Sequence, residues 1–233
     1  MHRVLDVATS LAATLARPLN GLRVEALGPR PAQPLVLYEF EACPYCRKVR
    51  EALTALDLEA DLRPCPKGGT RFRPAVRERG GKEQFPYLVD PNTGKELYES
   101  DEIVRYLFAR YGQGRPPRAY DLGLLGNLGS ALAGVLRPGL GLRAEPSRAP
   151  REPLELWSFE ASPFSRIVRE KLCSLELPYR LHNVGKRSPG RPAFERRAGR
   201  IQVPFLVDPN TNVEMFESAD IVRYLDATYG GEE

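Results

Sequence analysis

Two cysteines three positions apart could carry out redox chemistry. The segment Cys43-Pro44-Tyr45-Cys46 follows an apolar stretch that predicts a strand, and Pro44 suits the first position of a helix because it needs no amide donor there. Cys43 would then lie at the positive end of the helix dipole, where the thiolate is favoured over the thiol. Cys46, one helical turn further on, could attack a mixed disulfide on Cys43 and release the reduced product. The spacing therefore predicts a nucleophile at Cys43 and a resolving thiol at Cys46.

The alternatives for these thiols are half of a zinc site or two buried residues without a chemical role. Zinc would need two further ligands, and the candidates outside the motif are Cys65, His2 and His182. A C-x-x-C pair in a chain with few cysteines favours thiol-disulfide chemistry over these readings. Cys173 lies among apolar residues and is expected in the core, whereas the Pro- and Gly-rich loop around Cys65 suggests exposure.

Composition excludes several classes of protein. The 233 residues are 42% hydrophobic and 27% charged, as is usual for globular proteins, and four cysteines are too few for a disulfide scaffold. No apolar run approaches the roughly 20 residues that cross a bilayer, so no membrane span is predicted. The net charge of +4 is mild and no nucleic-acid-binding motif is present. We expect a cytoplasmic protein in a reducing compartment with no nucleic-acid partner.

An internal repeat organises the chain. Three ordered blocks recur at an offset of 118 or 119 residues. The matched blocks are 35–47 with 154–166, 84–93 with 202–211, and 99–107 with 217–225. Two copies indicate duplicated domains rather than a solenoid. We therefore expect one domain over 1–114 and a second over 115–233.

Each copy opens with an amphipathic segment, over 1–17 in the first copy and 124–136 in the second. The first segment alone could be an organelle transit peptide. Its counterpart lies in mid-chain, where a targeting peptide cannot work. We therefore interpret both segments as structural helices that pack on their own domains.

Hydrophobic periodicity predicts the order β-α-β-α-β-β-α in each copy. In the first copy the predicted strands are 35–40, 59–63, 86–90 and 95–98, and the predicted helices are 44–56, 72–80 and 100–111. The turn Asp90-Pro91-Asn92-Thr93-Gly94 joins the last two strands as a hairpin. Ser100 is predicted to be the N-cap of the last helix.

The Cys-Pro-Tyr-Cys segment with its flanking strand and helix resembles glutaredoxins. The block from Phe85 to Asp90, followed by Glu99-Ser100, resembles the N-terminal domain of glutathione S-transferases. Both families have the thioredoxin fold. The resemblance implies an α/β protein made of two tandem thioredoxin-like domains, each preceded by a short helix.

The resemblance also implies how glutathione would bind. The proline that matches Pro86 is cis in these families and faces the active-site cysteine, and the backbone at Phe85 pairs with the cysteinyl part of glutathione. Glu99-Ser100 matches the pair that holds the γ-glutamyl end. Glu99 could receive the ammonium, and the helix amides at Ser100 could hold the carboxylate. The alternative for this pair is a plain helix cap.

The second copy lacks both thiols, since Ser162 and Ser165 replace them. Serine cannot form a disulfide, so all disulfide chemistry is expected in the first copy. The positions that match the glutathione-binding residues are Val203, Pro204, Glu217 and Ser218. Some transferase-like domains use a serine at the position of Ser162 to stabilise the glutathione thiolate. The alternative is a degenerate copy kept for packing or partner binding.

Three functions remain open at this point. The favoured one is a glutathione-linked thiol-disulfide oxidoreductase that acts on disulfides or glutathionylated substrates. The second is a binding module in which Cys43 and glutathione thiols ligate a [2Fe-2S] cluster between two chains. The third is a glutathione-binding scaffold without turnover. Glutathione conjugation is not favoured, because we expect no all-helical domain of the kind that follows the N-terminal domain in the transferases.

Overall fold

The computed structural model describes residues 21–117, 120 and 140–231, which form two repeats of the order β-α-β-α-β-β-α. The first repeat contains β1 (Leu35–Glu39), α1 (Pro44–Ala55), β2 (Ala60–Pro64), α2 (Arg73–Gly80), β3 (Tyr87–Asp90), β4 (Lys95–Leu97) and α3 (Ser100–Tyr111). The second contains β5 (Leu154–Ser158), α4 (Pro163–Ser174), β6 (Tyr179–Asn183), α5 (Arg191–Ala198), β7 (Phe205–Asp208), β8 (Val213–Phe216) and α6 (Ser218–Tyr229). The predicted order is confirmed, and each predicted bound in the first copy is correct to within one residue. The predicted helices over 1–17 and 124–136 lie outside the described residues.

The strands of both repeats join one mixed sheet in the order β4-β3-β1-β2-β6-β5-β7-β8. Within each repeat the first two strands are parallel, and the third pairs antiparallel with the first. The repeats meet where β2 pairs antiparallel with β6. At the centre of this junction Asp61 faces Arg180, and the Arg180 Nε lies 2.9 Å from the Asp61 carboxylate. The two thioredoxin-like units therefore share one sheet.

One apolar core extends beneath both repeats. On β1, Leu35, Leu37 and Glu39 point to the same buried face, which α1 and α3 cover. Leucines of β5 and α4 belong to the same cluster. The expectation for Cys173 is confirmed, since it is buried. The suggestion that Cys65 is exposed is wrong, because α2 covers it on the opposite face of the sheet and it is fully buried.

The segments that lead into the repeats cross to the neighbouring repeat. Val24 donates its backbone N–H to the Lys186 carbonyl at 2.8 Å, and Lys186 donates to the Leu22 carbonyl at 2.9 Å. In the equivalent bonds of the second repeat's leading segment, the Lys67 N–H donates to the Leu142 carbonyl at 2.6 Å and the Ala144 N–H donates to the Lys67 carbonyl at 3.0 Å. The residues that follow the two predicted leading helices, 22–24 and 142–144, thus pair with the other repeat.

A buried carboxylate closes the hairpin of each repeat. Asp90 accepts hydrogen bonds from the hydroxyls of Tyr106 and Tyr111 at 2.5 and 2.6 Å, and from the backbone N–H of Asn92 at 2.8 Å. Burial alone would raise the pKa of Asp90, but these hydrogen bonds lower it overall. Asp208 has the matching set of partners, which are Tyr224, Tyr229 and Asn210.

Tyr111→Phe is expected to lower the free energy of unfolding by about 1.5 kcal/mol, because it removes a hydrogen bond to a buried charged group. Tyr229→Phe is the matched change in the second repeat and should cost a similar amount. Urea denaturation of both variants at pH 7 measures these losses. A loss from only one of the two variants would contradict the equivalence of the two carboxylates.

Among the described residues, no helix has the length and apolar character to span a bilayer.

Candidate functional site

Cys43 lies at the start of α1, as the sequence predicts. β1 ends at Glu39, and a turn from Phe40 to Cys43 follows, in which the Cys43 N–H donates to the Phe40 carbonyl at 3.0 Å. Cys43 is the N-cap, Pro44 begins the helix, and the Cys43 Sγ accepts from the Cys46 N–H at 3.3 Å. The sulfur thus occupies the place that a capping oxygen takes in other helices.

The two thiols differ sharply in proton affinity. The hydrogen bond from the Cys46 thiol lowers the pKa of Cys43, helped by the N–H groups of Cys46 and Tyr45 and opposed by burial. Burial raises the pKa of Cys46 well above its usual value, and the hydrogen bond to Cys43 raises it further. Cys43 is 4% exposed and Cys46 is fully buried. This arrangement favours a thiolate at Cys43 and a neutral thiol at Cys46.

Pro86 lies at the same edge of the sheet as Cys43. The antiparallel register of β1 and β3 pairs Tyr38 with Tyr87, which places Pro86 beside the end of β1 from which the Cys43 turn leaves. The Phe85-Pro86 and Val203-Pro204 peptide bonds are both cis, which confirms the expectation drawn from the family resemblance.

Glu99-Ser100 lies close to the same edge. The Glu99 backbone has a φ of 63°, a region that L-residues rarely occupy, and its carboxylate accepts a hydrogen bond from the Gln84 side chain. The prediction that Ser100 is the N-cap is wrong, because Ser100 is the first helical residue and Glu99 is the cap. Glu99 makes no side-chain cap hydrogen bond, so its carboxylate does not stabilise the helix in this way.

Sequence reasoning missed Gln84 as a site residue, although it opens one of the repeated blocks. Its counterpart Gln202 donates to the Glu217 carboxylate at 2.7 Å, and Glu217 has a φ of 70°. Strained backbone that recurs at corresponding positions is an indication of a binding site. Both repeats thus keep a glutamate in the same unusual conformation beside a cis proline.

The second repeat has hydroxyls in place of thiols, with the same geometry. The Ser162 Oγ accepts from the Ser165 N–H at 3.2 Å and lies 2.9 Å from the Ser165 Oγ. Both serines are buried. The helix start is therefore intact, but it holds no group that could form a disulfide.

A cluster of buried charges lies between α1 and α4, and sequence reasoning missed it. Arg50 of α1 pairs with Glu39 and Glu160, and Arg169 of α4 pairs with Glu41 and Glu160. All five side chains are at most 4% exposed. Their recurrence was visible in the sequence, since Arg50 matches Arg169 and Glu41 matches Glu160 at the offset of the repeat.

Glu39 is the member of this cluster without a counterpart, since Ser158 occupies its place in the second repeat. The pKa of Glu39 is raised to about 7. Burial is the main cause, the neighbouring Glu41 and Glu160 add to it, and the attraction of Arg50 opposes it. Glu160 shows the opposite balance, because Arg169 and Arg50 overcome burial and lower its pKa to about 2.

Within the described part of the chain, no three His, Cys, Asp or Glu side chains are grouped so that they could hold a metal ion.

The β-α-β-α-β-β-α order, with a cis proline just before the third strand, occurs in both repeats and defines the thioredoxin-like class. The first repeat has a cysteine at the start of its first helix, and the second has Ser162 there. The family model of the glutathione S-transferase N-terminal domain matches residues 37–116 and again residues 156–233. The chain therefore belongs to the glutathione S-transferase N-terminal domain family.

Solved structures give partial likenesses. Glutathione transferase BmGSTD1 of Bombyx mori is 29% identical over 36% of this chain and 39% of its own, with a TM-score of 0.33. A delta-class glutathione transferase of Nilaparvata lugens is 30% identical over 34% of this chain and 37% of its own, with a TM-score of 0.31. TDR1 of Leishmania, a trimeric glutathione transferase, is 12% identical over 87% of this chain and 68% of its own, with a TM-score of 0.31.

The chain thus spans well under half the length of the two insect transferases. No curated protein sequence matches it.

Proposed function

We propose that this protein is a glutathione-linked thiol-disulfide oxidoreductase of the glutaredoxin type, with Cys43 as nucleophile and Cys46 as resolving thiol. The observation that carries the proposal is the placement of two thiols at one helix start: the Cys43 Sγ caps α1 and accepts the Cys46 N–H at 3.3 Å, and Cys46 is fully buried one turn further on. This placement lowers the pKa of Cys43 and raises that of Cys46. A thiolate is the attacking species in thiol-disulfide exchange.

In the proposed reaction, the Cys43 thiolate attacks the glutathione sulfur of a protein–glutathione mixed disulfide. A Cys43–glutathione disulfide forms, and the substrate thiolate leaves and takes up a proton. A second glutathione thiolate then attacks the glutathione sulfur on Cys43, which releases oxidised glutathione and restores the Cys43 thiolate.

With a protein disulfide as substrate, the Cys43 thiolate attacks one of its sulfurs and forms a mixed disulfide with the substrate. Cys46 then loses its proton and attacks the Cys43 sulfur, which forms the Cys43–Cys46 disulfide and releases the substrate as a dithiol. Two glutathione thiolates in turn reduce the Cys43–Cys46 disulfide and leave as oxidised glutathione.

Glutathione would lie along the edge that Phe85, Pro86, Glu99 and Ser100 form. The register of β1 and β3 leaves the Phe85 backbone close to the Cys43 turn, where it could pair with the cysteinyl unit. The Glu99 carboxylate is exposed and could receive the γ-glutamyl ammonium, while the first amides of α3 could hold the carboxylate.

The second repeat would bind glutathione without disulfide chemistry. Val203 and Pro204 repeat the cis bond, and Glu217 and Ser218 repeat the strained helix start. Ser162 would offer a hydroxyl to the glutathione sulfur at a helix N-terminus, where negative charge is stabilised.

The test is turnover of a glutathionylated peptide by the intact protein, with reduced glutathione as the electron donor. Release of free peptide thiol and oxidised glutathione in equal amounts is expected. Absence of turnover, together with binding of glutathione in a calorimetric titration, would overturn the oxidoreductase and leave the scaffold. A brown protein after anaerobic purification in the presence of glutathione would instead favour the iron–sulfur alternative.

A further inference from the structure

Two residues of the second repeat contact the turn that carries Cys43. Glu41 is the second residue of the Phe40–Cys43 turn. Its carboxylate is held by both Nε and Nη2 of Arg169, at 3.1 and 3.2 Å, and its backbone N–H donates to the Cys173 Sγ at 3.4 Å. Arg169 and Cys173 are four residues apart on α4 and therefore lie on one face of that helix.

The contact is reciprocal. In the second repeat, Glu160 occupies the same place in the Phe159–Ser162 turn, which the Ser162 N–H closes at 3.1 Å. Arg50 of α1 lies 2.9 Å from its carboxylate, and Thr54 of α1 accepts its backbone N–H at 3.2 Å. Each repeat thus supplies an arginine and, one helical turn later, an acceptor that hold the other repeat's turn.

A third contact covers the Cys43 turn. The Cys173 thiol donates to the Gly141 carbonyl at 3.3 Å, and Gly141 has a φ of 65°. A Cβ on Gly141 would lie only 2.9 Å from the Glu41 Cβ, so the leading segment of the second repeat passes tightly over Glu41. The second repeat therefore holds Glu41 at its carboxylate, its backbone N–H and its Cβ. Within the first repeat, Arg50 lies 3.1 Å from the carboxylate and donates to the Glu41 carbonyl at 3.4 Å.

We propose that Arg169 and Cys173 are positioning residues for Cys43: the second repeat fixes the Glu41 turn and thereby sets the orientation of the nucleophilic sulfur. This inference rests on the proposed role of Cys43. The turn delivers Cys43 to the N-cap position, where the Cys46 thiol and N–H groups hold its sulfur. A displaced turn would move the sulfur away from these donors, so its thiolate fraction would fall. The second repeat, which has Ser162 and Ser165 in place of the two catalytic thiols, would then still complete the catalytic site.

The readout is the rate at which iodoacetamide alkylates Cys43, followed by mass spectrometry against pH in the full-length protein. In the wild type, Cys43 should react faster than Cys46, Cys65 and Cys173, which are fully or almost fully buried and have raised pKa values. Alkylation needs neither glutathione nor a substrate. Equal rates at all four cysteines would therefore overturn the proposed function itself, before the roles of Arg169 and Cys173 are tested.

Arg169→Lys keeps the charge but loses the two-pronged contact with Glu41. We expect roughly tenfold slower alkylation of Cys43 at pH 7 and a pH profile displaced to higher pH. Glu41→Gln should have a similar effect. The double variant should be slowed by less than the product of the two single effects, because both changes remove the Glu41–Arg169 pair, although Glu41 also pairs with Arg50 and Arg169 with Glu160. A lower melting temperature with wild-type alkylation kinetics in either single variant would overturn the proposal.

A gentler pair decides the question if Arg169→Lys fails to fold. The side chains introduced by Cys173→Val and Cys173→Thr have nearly the same shape, but only threonine keeps an acceptor for the Glu41 N–H. Thr54 plays this part at the equivalent contact with Glu160. Valine should slow alkylation of Cys43 about three- to fivefold, and threonine should restore it. Thr54→Val is the matched control, since it removes the same bond from the Ser162 turn and should leave Cys43 at its wild-type rate. Equal rates in the two Cys173 variants, or an equal loss in Thr54→Val, would overturn the proposal.

Discussion

Cys43→Ser is expected to lower glutathione-dependent turnover of a glutathionylated peptide by roughly a thousandfold or more, because a serine hydroxyl is not an effective nucleophile in disulfide exchange. Cys46→Ser should keep most of this activity, since glutathione itself can resolve the mixed disulfide on Cys43. It should lose reduction of protein disulfides, which requires a second thiol on the enzyme. The two variants therefore separate the nucleophile from the resolving thiol.

Cys65→Ala is the matched control for the loss of a thiol. Cys65 is buried between β2 and α2, and its pKa is raised by burial, so it is neither accessible nor ionised near neutral pH. This variant should turn over substrate at the wild-type rate. Retention of activity in Cys43→Ser, or its loss in Cys65→Ala, would show that Cys43 is not the nucleophile.

The fold was largely predictable because the same sequence pattern occurs twice in the chain. The blocks that form the strands and helices of the first repeat recur in the second, and Pro44 and Pro163 mark the same helix start. The cis prolines followed from the blocks Phe85-Pro86 and Val203-Pro204 through the family resemblance. Local signals of this kind depend on residues close in sequence, so one chain is enough to interpret them.

The contacts between the repeats were not predictable in the same way. Arg47, Lys48, Arg50 and Glu51 look like the solvent-facing side of an amphipathic helix, yet all four are buried. Lys48 pairs with Asp101 of α3 in its own repeat, whereas Arg47 and Arg50 pair with Glu160 of the second repeat. Periodicity identifies apolar faces, but it does not identify a charged face that another repeat neutralises. The one available signal was the recurrence of the same charges at the offset of the repeat.

The site was predicted in its parts but not in its surroundings. The family resemblance predicted that Pro86 faces Cys43. The sequence did not predict a role for Gln84 or the contacts of Arg169 with Glu41. Ser100 was misplaced by one position because serine is common at N-caps, and here the strained Glu99 takes that position instead. A residue whose backbone conformation is unusual for its type gives no signal in a single sequence.

The buried charges beneath the Cys43 turn should make stability depend on pH through Glu39. Its pKa rises from 4.5 to about 7 on folding, chiefly through burial, so the folded protein binds this proton more tightly than the unfolded chain. Below about pH 4.5, Glu39 is protonated in both states and does not lower the free energy of unfolding. As pH rises, its ionisation lowers the free energy of unfolding, and this loss is complete above about pH 7. A shift of this size corresponds to ~3 kcal/mol.

Glu39→Gln mimics the neutral carboxyl and removes this penalty. We expect the variant to match the wild type near pH 4.5 and to exceed it in free energy of unfolding by about 2–3 kcal/mol at pH 8. Urea denaturation of both proteins in the reduced state, at several pH values between these limits, measures the difference. Glu160→Gln is the control of opposite sign, because the pKa of Glu160 is lowered to about 2 by Arg169 and Arg50 and its charge stabilises the fold above about pH 4.5. If Glu39→Gln were instead destabilising at pH 8, the attraction of Arg50 would outweigh burial, and Glu39 would be an ionised partner of Arg50 throughout the neutral range.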